Sequence, residues 1–476
     1  MLRRSIVMLM SLLAVILLTG FAVRGCRAWD SRNEALREFH AQVVDLGYGD
    51  KFLEALDPSL VAALGLETVT PVDEHLESDA MIAFEALCAR CMHPSSSAPL
   101  QTALNLAYER PSAEWGEAEW ALATKTVEDA ASLVDDITAL AEMEGPLQRP
   151  DMPLRMDTDN SALDLVRSMS ALVFLDALVA AHDGDVPGAL ASMKTLVLLA
   201  RSTGESGQLM ARLRAFSVAG TALDALDDIA QPGVLSAEQT KDIIGFLDAN
   251  APDTSMTLPL ILDTAEWLNA FQDMLPSAGG INALFGGGAL SRAFYEDEAT
   301  HMRTTAMVLP ATVSRETMLD VVRTGRTLPP ATGLTAGAVL GMGPDDKLRM
   351  VVSGCACAMK IQLARVGLAL EAYVAHEGKA PPNLDAVAGM LSGEVPVDPL
   401  SGAPFVYRPV GEDFTLYSVG RNLVDDGGVH HELFGDWVWR GVETKIKPTP
   451  TVRDLQRLGL PGLPGLPGPP SIPQAR

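Results

Sequence analysis

The chain has 476 residues, and 36 Lys and Arg against 61 Asp and Glu give a formal net charge of −25 at pH 7. This excess of negative charge argues against a nucleic-acid partner, because proteins that bind phosphate backbones normally present a basic surface. Hydrophobic residues make up 48% of the chain and aromatic residues only 5%. Such a composition can fold around a core and favours helices over β-sandwiches.

An apolar run occupies residues 5–23, directly after Arg3 and Arg4. A helix of this length spans about 28 Å, which is close to the hydrocarbon thickness of a bilayer. The sequence therefore predicts a single transmembrane helix, with residues 1–30 forming the membrane anchor and its flank. Two alternatives stay open: a signal peptide cleaved after Ala22, and lipidation of Cys26.

The orientation of this anchor is not determined by charge, because basic residues lie on both sides of the apolar run. Two precede it, and Arg24, Arg27, Arg32 and Arg37 follow it. Long domains cross membranes largely regardless of charge. We therefore expect a single-pass protein of the cell membrane with an extracytoplasmic, periplasmic C-terminal body.

Residues 31–341 predict an α-helical body. Ser31 and Glu34 have the spacing of a capping box at the start of a helix, and an apolar stripe follows at Leu36, Phe39, Val43 and Leu46. Residues 94–99, which contain two prolines, predict a loop.

The clearest helical periodicity extends from Ser161 to Asn250. It predicts a helix over 161–182, a short turn at 183–187, two further helices, and a capping box at Ser236 and Gln239 that opens a fourth. Helices joined by such short turns must fold back on one another. The sequence therefore predicts helical hairpins arranged like a solenoid or an irregular bundle.

Residues 345–442 predict a small α+β module at the C-terminal end. Apolar residues in steps of three and four from Leu348 to Tyr373 indicate one long helix, which Gly378 can end. Strand-like segments at 405–407, 414–417 and 437–439 follow. A long helix on a three-stranded antiparallel sheet would bury one face of each, so the whole chain is predicted to be mainly α.

Several residues of this module form a pattern that extends from its helix to its last strand. The pattern comprises Ala372-Tyr373, Gly378, Pro381-Pro382, Leu384, Val397-Asp398-Pro399, Gly402, Pro404, Tyr407, Phe414, Leu416-Tyr417-Ser418-Val419-Gly420, Asp425-Asp426-Gly427-Gly428 and Gly435-Asp436. The module thereby resembles the globular domain of type II secretion major pseudopilins, over about a fifth of the chain. The layout of anchor, helical middle and module is also similar to a group of uncharacterised bacterial membrane-anchored proteins.

The resemblance implies a calcium ion bound by the loop after the Ser-x-Gly strand end. Asp425 and Asp426 are the implied side-chain ligands, with Asp436 as a weaker third. Clustered carboxylates on a glycine-rich turn supply some of the six to eight oxygens that Ca²⁺ prefers. Arg421 departs from the family pattern, because a nearby cation opposes calcium. The alternative is a solvated turn without a metal.

The N-terminal segment also departs from the pseudopilin pattern. A pseudopilin has a cleavage site directly before its apolar helix and a Glu a few residues inside. Here the run begins at Ser5 and contains no Glu, and about 300 residues separate it from the module. The resemblance therefore implies a reused domain and not a filament subunit.

The cysteines and the C-terminal tail leave several alternatives open. Cys88 and Cys91 could pair with Cys355 and Cys357 through a disulfide, all four could bind zinc, or they could be buried thiols. Residues 448–476 are rich in Pro and Gly and predict a flexible tail. The four Gly-led triplets in this tail are too few for a stable collagen helix.

Catalytic motifs are missing from the sequence, which contains no Gly-x-Ser-x-Gly, His-Glu-x-x-His or Gly-Lys-Ser/Thr phosphate loop. We therefore expect a membrane-anchored extracytoplasmic scaffold or binding protein, without catalysis and with an unidentified protein partner. One alternative is an extracytoplasmic enzyme with an unrecognised site in the helical body. Another is an accessory component of a type II secretion-like system.

Overall fold

The computed structural model describes residues 27–63, 65, 78–109, 112–148, 161–231, 233–277, 289–314, 318–319, 344–431 and 435–440. The predicted anchor at 5–23, Cys26 and the tail at 448–476 lie outside these residues, and so does the expected boundary between body and module near residue 342. Those expectations therefore stay predictions.

Most of the described residues are helical, as the sequence predicts. The helices are α1 (27–45), α2 (Gly49–Ala55), α3 (Pro58–Ala63), α4 (Asp79–Cys91), α5 (Pro94–Glu109), α6 (Glu117–Asp129), α7 (Ala131–Ala141), α8 (Ser161–His182), α9 (Val186–Gly204), α10 (Leu209–Ile229), α11 (Ala237–Asn250), α12 (Thr257–Ser277), α13 (Ala289–Val313) and α14 (Pro344–Glu377). Short 3₁₀ turns occur at Ser112–Glu114 and Leu384–Met390.

The helical hairpins predicted between 161 and 250 are confirmed. α8, α9 and α10 pack against one another in sequence order. Asp185 caps α9 by accepting a hydrogen bond at Oδ1 from the Gly188 amide at 3.1 Å. Ser236 and Gln239 form the expected reciprocal capping box of α11, with distances of 3.2 and 2.9 Å between side chain and amide.

Two local predictions are wrong. Helix α1 already includes residues 27–30, so Ser31 lies inside it and not at its cap. The Ser31 hydroxyl instead accepts a hydrogen bond from Arg303 at 3.0 Å. Residues 94–99 belong to α5 and not to a loop. Pro94 occupies the first position, where a missing N–H leaves no internal bond unmade, and the helix continues through Pro99 at the loss of one internal bond.

The C-terminal sheet consists of β1 (Val406–Val410), β2 (Asp413–Ser418) and β3 (Trp437–Val438), in that spatial order. Both pairings are antiparallel, with Tyr407 opposite Leu416 and Tyr417 opposite Val438. Gly411 provides the left-handed backbone of the β1–β2 turn at a φ of +66°. The predicted helix, hairpin and third strand are confirmed.

Two hydrophobic clusters form the core, and α14 contributes to both. One cluster extends through α4–α11 to the sheet and includes Leu172, Leu226, Val366 and Leu416. The other joins α1–α3, α12, α13 and the first turns of α14, where Val351 is buried. The helical body and the sheet therefore both pack on one continuous 34-residue helix.

The end of β3 is fastened to α14. Gly367 leaves room for the Trp439 ring, since a Cβ at this position would collide with the indole. Trp439 Nε1 and Arg440 Nη2 each donate to Glu371, both at 2.8 Å. Arg440 also reaches the main-chain oxygen of Asp227 on α10 at 3.1 Å, so the last described residue joins module and body.

Among the described helices, one is long and apolar enough to cross a membrane by length and composition alone. It is the segment Lys347–Glu377 of α14, whose most apolar window is 67% buried inside the protein. That burial is typical of a core helix.

Candidate functional site

The loop that follows β2 brings together the three acidic residues singled out in the sequence. Gly420 makes the turn possible, with a φ of +65° and a position at which a Cβ would collide with the carbonyl oxygen of Gly435. Gly427 and Gly428 also have positive φ angles, of +78° and +86°. The loop thus doubles back so that residue 436 lies against residues 426–428.

Asp425 is held at the surface of this loop by three donors. Its Oδ1 accepts hydrogen bonds from the Tyr417 hydroxyl and the Gly427 amide, both at 2.9 Å. Its Oδ2 lies 3.4 Å from Arg408 Nη2. The amide bond from Gly427 and the hydroxyl bond from Tyr417 lower the pKa of Asp425, because both favour the charged form.

Asp436 has a different environment, since it is fully buried. Its two oxygens accept from the Asp426 amide at 3.2 Å and the Gly428 amide at 2.6 Å. Burial raises the pKa of Asp436, and the two amide bonds oppose that shift. Asp426 itself is exposed and accepts from the Asn422 amide group at 2.8 Å.

These contacts fit a calcium site only in part. The carboxylates share one loop, but both oxygens of Asp436 hold the backbone in place, and a guanidinium already contacts Asp425. Within the described ranges, no three Asp, Glu, His or Cys side chains are grouped as ligands of one metal ion. Calcium binding at Asp425, Asp426 and Asp436 stays a prediction that the resemblance implies.

Other residues of the pseudopilin-like pattern have structural roles. Asp398 is buried, and its Oδ2 accepts from the hydroxyls of Ser401 at 2.7 Å and Ser418 at 2.9 Å. The Ser418 oxygen in turn accepts from the Gly420 amide at 3.1 Å. Tyr407 donates to the carbonyl of Pro381 at 2.7 Å. Residues far apart in the motif therefore hold the loops of the module against the sheet.

Four of the five cysteines are described, and none of these four forms a disulfide in the structure. Cys88 and Cys91 lie on α4, whereas Cys355 and Cys357 lie on α14. Burial raises the pKa of Cys88 and of Cys357 to about 12 and that of Cys91 to about 11. The disulfide is not formed among these four residues, whereas zinc binding stays a prediction. The raised pKa values are typical of buried packing thiols and not of reactive ones.

A second polar cluster lies inside the helical body and was not anticipated from the sequence. Lys347, at the start of α14, is 1% exposed. Its Nζ donates to Asp263 Oδ2 at 2.8 Å, Thr305 Oγ1 at 2.9 Å and His301 Nε2 at 3.1 Å. All three protons of the ammonium group are therefore used within the protein.

The electrostatics of this cluster follow from its burial. Burial and the adjacent Lys347 charge lower the pKa of His301 well below its usual value, so its ring is neutral and accepts at Nε2. Burial and the negative charge of Asp263 raise the pKa of Glu266, on the next turn of α12, to about 7. The cluster joins α12, α13 and α14 in one network.

A further buried ion pair connects α1 to α13. Arg32 and Glu298 are both 0% exposed and are in direct contact. Burial raises the pKa of Glu298, and the Arg32 charge opposes the shift. The Arg32 guanidinium also lies 5.3 Å from the centre of the Trp29 ring. This pair fixes the first described helix to the second hydrophobic cluster.

No motif could have revealed these pairs. The partners are separated by 84 residues for Lys347 and Asp263 and by 266 for Arg32 and Glu298. A single charged residue in a helical pattern usually indicates a solvated face. The available signal was weak: an interruption of the apolar stripe at a position that periodicity assigns to the core.

Comparison of the chain with protein-family models, with curated proteins and with solved structures found no match.

Proposed function

We propose that the protein is a single-pass, membrane-anchored extracytoplasmic scaffold or binding protein that presents a pseudopilin-like module to a protein partner. The apolar run at 5–23 supports the anchor, by length and composition. It ends four residues before α1, which is fixed to the body through Arg32 and Glu298. An anchor at 5–23 would thus lead almost directly into the rigid body.

One observation carries the scaffold role: α14 belongs to both hydrophobic clusters. Its first turns contact α13 and, through Lys347, Asp263 of α12, and the helix also packs on α10, α11 and the sheet. The module would therefore be presented in a fixed position relative to the anchor. A fixed position serves a protein that holds partners together.

The module also offers apolar contact points. Val397, Val410, Val424 and Val429 are 40–60% exposed. They are the exposed large apolar residues in the described part of the module, and a continuous patch of such residues is typical of protein-binding surfaces. They support a protein partner for this end of the molecule.

The enzyme alternative gains no support from the buried cluster around Lys347. Every proton of its ammonium group is donated to a neighbouring side chain, and the cluster is closed to solvent. A substrate would have to break these bonds before any reaction. The cluster is better explained as a structural connection between helices.

Location can be tested with the full-length chain in a bacterial host that has two membranes. We expect it in the membrane fraction, degraded by protease added to spheroplasts but not to intact cells. A variant with charged residues in place of Leu12, Leu13 and Ile16 should leave the membrane fraction. Protection of the wild-type body in spheroplasts would contradict the extracytoplasmic orientation.

Partner binding can be tested with a photo-crosslinking amino acid at Val410 or Val424, in cells of the native source. We expect both positions to crosslink to the same protein, whereas Val44 on α1, which is 49% exposed, should not. Pilus-like components in the product would favour the accessory role in secretion. Equal, unspecific crosslinking at all three positions would contradict the module as the binding surface.

A further inference from the structure

A cleft lies between α10 and α14, where the body meets the C-terminal module. Its volume is about 250 Å³, and it opens to solvent on one side. One wall consists of α10 residues that follow each other in steps of three and four: Leu213, Phe216, Gly220 and Leu223. Residues with this spacing lie in one stripe along a helix. The cleft is therefore a groove with an apolar wall along α10.

Two cations also line the cleft, and both already interact with other parts of the protein. Lys360 Nζ lies 3.9 Å from the centre of the Trp437 ring, and Arg421 has an interaction partner of its own. A segment that docks here is therefore recognised by the apolar wall and not by a demand for a counter-charge.

The C-terminal tail contains a segment with matching chemistry. Residues 459–470 repeat Gly-Leu-Pro three times and end in Gly-Pro-Pro. Such a sequence favours the polyproline II helix, which has three residues per turn and would place Leu460, Leu463 and Leu466 along one edge. Segments of this type bind apolar grooves with aromatic residues, since their extended conformation loses little entropy on binding. Phe216 supplies an aromatic ring in this groove.

The volume of the cleft fits one repeat of the tail. A cavity of about 150 Å³ holds benzene. The space of about 250 Å³ can therefore hold one leucine side chain and the ring of the next proline. Residues 458–475 contain no charged side chain, so this part of the tail brings no charge next to Lys360 and Arg421.

The tail leaves the described structure close to the cleft. Arg440 Nη1 donates to the carbonyl oxygen of Asp227 at 3.1 Å. Asp227 lies one turn beyond Leu223, so the cleft extends from about 6 to about 21 Å from it along α10. The 18 residues 441–458 would span about 21–25 Å as a flexible coil. A linker that matches the distance between two sites gives an effective concentration in the millimolar range, so even a weak contact is populated.

The tail is also opposite in charge to the rest of the chain. Residues 441–476 contain five Lys and Arg against two Asp and Glu, whereas the whole chain has a net charge of −25. Asp224 and Asp227 lie on α10 beside the apolar stripe, and Asp224 is exposed. Charges of opposite sign attract the basic part of the tail to the body. This attraction favours docking on the same chain.

We propose that residues 459–470 dock into this cleft of their own chain, with one Leu-Pro unit packed on Phe216 and Leu223. The docked tail covers apolar surface at the boundary between body and module. A partner that uses the same groove has to displace the tail first. The proposal does not depend on the membrane location of the protein.

Photo-crosslinking of the purified full-length chain tests the proposal. Ser217 is exposed and lines the cleft, so it can be replaced by p-benzoylphenylalanine without loss of the apolar wall. Trypsin cleaves after Arg457, and the docked segment would therefore be found as peptide 458–476 joined to α10. We expect this product by mass spectrometry. The same amino acid at Leu122 on α6, which is 46% exposed, should not give it.

A steric variant shows whether the cleft itself holds the tail. Gly220 lines the cleft, and a Cβ there would meet no atom within 4 Å. G220L should therefore fold normally, fill the groove and lower the yield of the crosslink at least about tenfold. The matched variant G245L, in α11, also meets open space but lies outside the cleft, so it should crosslink like the wild type. L460S/L463S/L466S should lower the yield as G220L does.

A mixture of ¹⁵N-labelled and unlabelled chains identifies the source of the docked segment. Crosslinks within chains of one isotope support docking on the same chain. Crosslinks between labelled and unlabelled chains would assign the groove to a second copy and overturn the proposal. An absent tail crosslink at position 217, an equal yield at position 122 or an unchanged yield in G220L would overturn it as well.

Discussion

Lys347 Nζ and Asp263 Oδ2 lie 2.8 Å apart inside the protein, with only 1% and 6% of the two side chains exposed. The pair connects the first turn of α14 to the middle of α12. Taking two charges out of water costs free energy, which the ion pair and the bonds to His301 and Thr305 offset. Removing one partner leaves the other charge buried without its counterion.

We expect Lys347→Met to lower the free energy of unfolding by about 3–5 kcal/mol, because it isolates the Asp263 carboxylate. The double variant K347M/D263L should be less destabilised, since it removes both charges. Guanidinium unfolding measures each midpoint. Lys125, in an exposed pair with Asp129, is the matched control, and K125M should change stability by less than about 0.5 kcal/mol. Equal losses for K347M and K125M would contradict the structural role.

The raised pKa of Glu266 predicts that the stability of the protein depends on pH. Its pKa is raised from 4.5 to about 7, so between these values the folded protein retains a proton that the unfolded chain has released. The contribution of Glu266 to the free energy of unfolding is therefore fully present below pH 4.5 and is lost as the pH rises through 7. Relative to wild type, E266Q should gain about 1–3 kcal/mol of stability across this window. Unfolding at a series of pH values measures the difference in stability, and a difference that stays constant from about pH 4 to about pH 8 would contradict the prediction.

Substitutions at two glycines of the module distinguish the cost of backbone strain from the cost of a steric collision. Gly411 and Gly420 have nearly the same φ, +66° and +65°, but only at Gly420 would a Cβ collide with another residue. We expect G411A to cost about 1 kcal/mol and G420A more than about 3 kcal/mol. Thermal unfolding of both variants measures the costs. A similar loss for both would show that the 420–436 loop adapts without penalty.

Calcium is tested by thermal unfolding of the full-length chain. The resemblance predicts that millimolar Ca²⁺ raises the melting temperature and that D425N/D426N removes the effect, whereas D413N at the hairpin turn retains it. R408Q should strengthen the effect, because it removes a cation 3.4 Å from Asp425. A melting temperature that responds to neither Ca²⁺ nor chelator in the wild type would show that this prediction is wrong.

Thiol labelling tests the state of the cysteines. In a C26S background, iodoacetamide should label Cys88, Cys91 and Cys357 slowly in the folded protein, because their raised pKa values leave little thiolate at pH 8. Denaturation without a reductant should make all four remaining thiols react. Labelling that requires a reductant would instead indicate the disulfide, and release of zinc on denaturation would indicate the metal site.

The elements that the sequence predicts well are those specified by local signals. α8 extends from Ser161 to His182, as its apolar periodicity indicates, and α11 opens at the capping box of Ser236. The long helix and the three strands of the module follow from their patterns and from Gly378, which has a φ of +71° after the helix.

The errors and omissions depend on long-range context. Ser31 has the spacing of a cap, yet the helix starts upstream, and a motif four residues long contains no information on what precedes it. The buried network around Lys347 exists because α12, α13 and α14 pack together, which no local pattern of charges specifies. The cleft at Lys360 and Arg421 likewise needs α10, the sheet and α14 in place.

Helix α14 has a mechanical consequence. Its 34 residues form a rod about 50 Å long, with Lys347 clamped at one end and Glu371 bound to the strand terminus near the other. A force applied to the sheet would be transmitted along α14 to α12 and α13. Because α14 belongs to both hydrophobic clusters, separating residues 345–440 from the helical body would expose apolar surface on both parts. The C-terminal module is therefore unsuited to transfer into another protein as an independent domain.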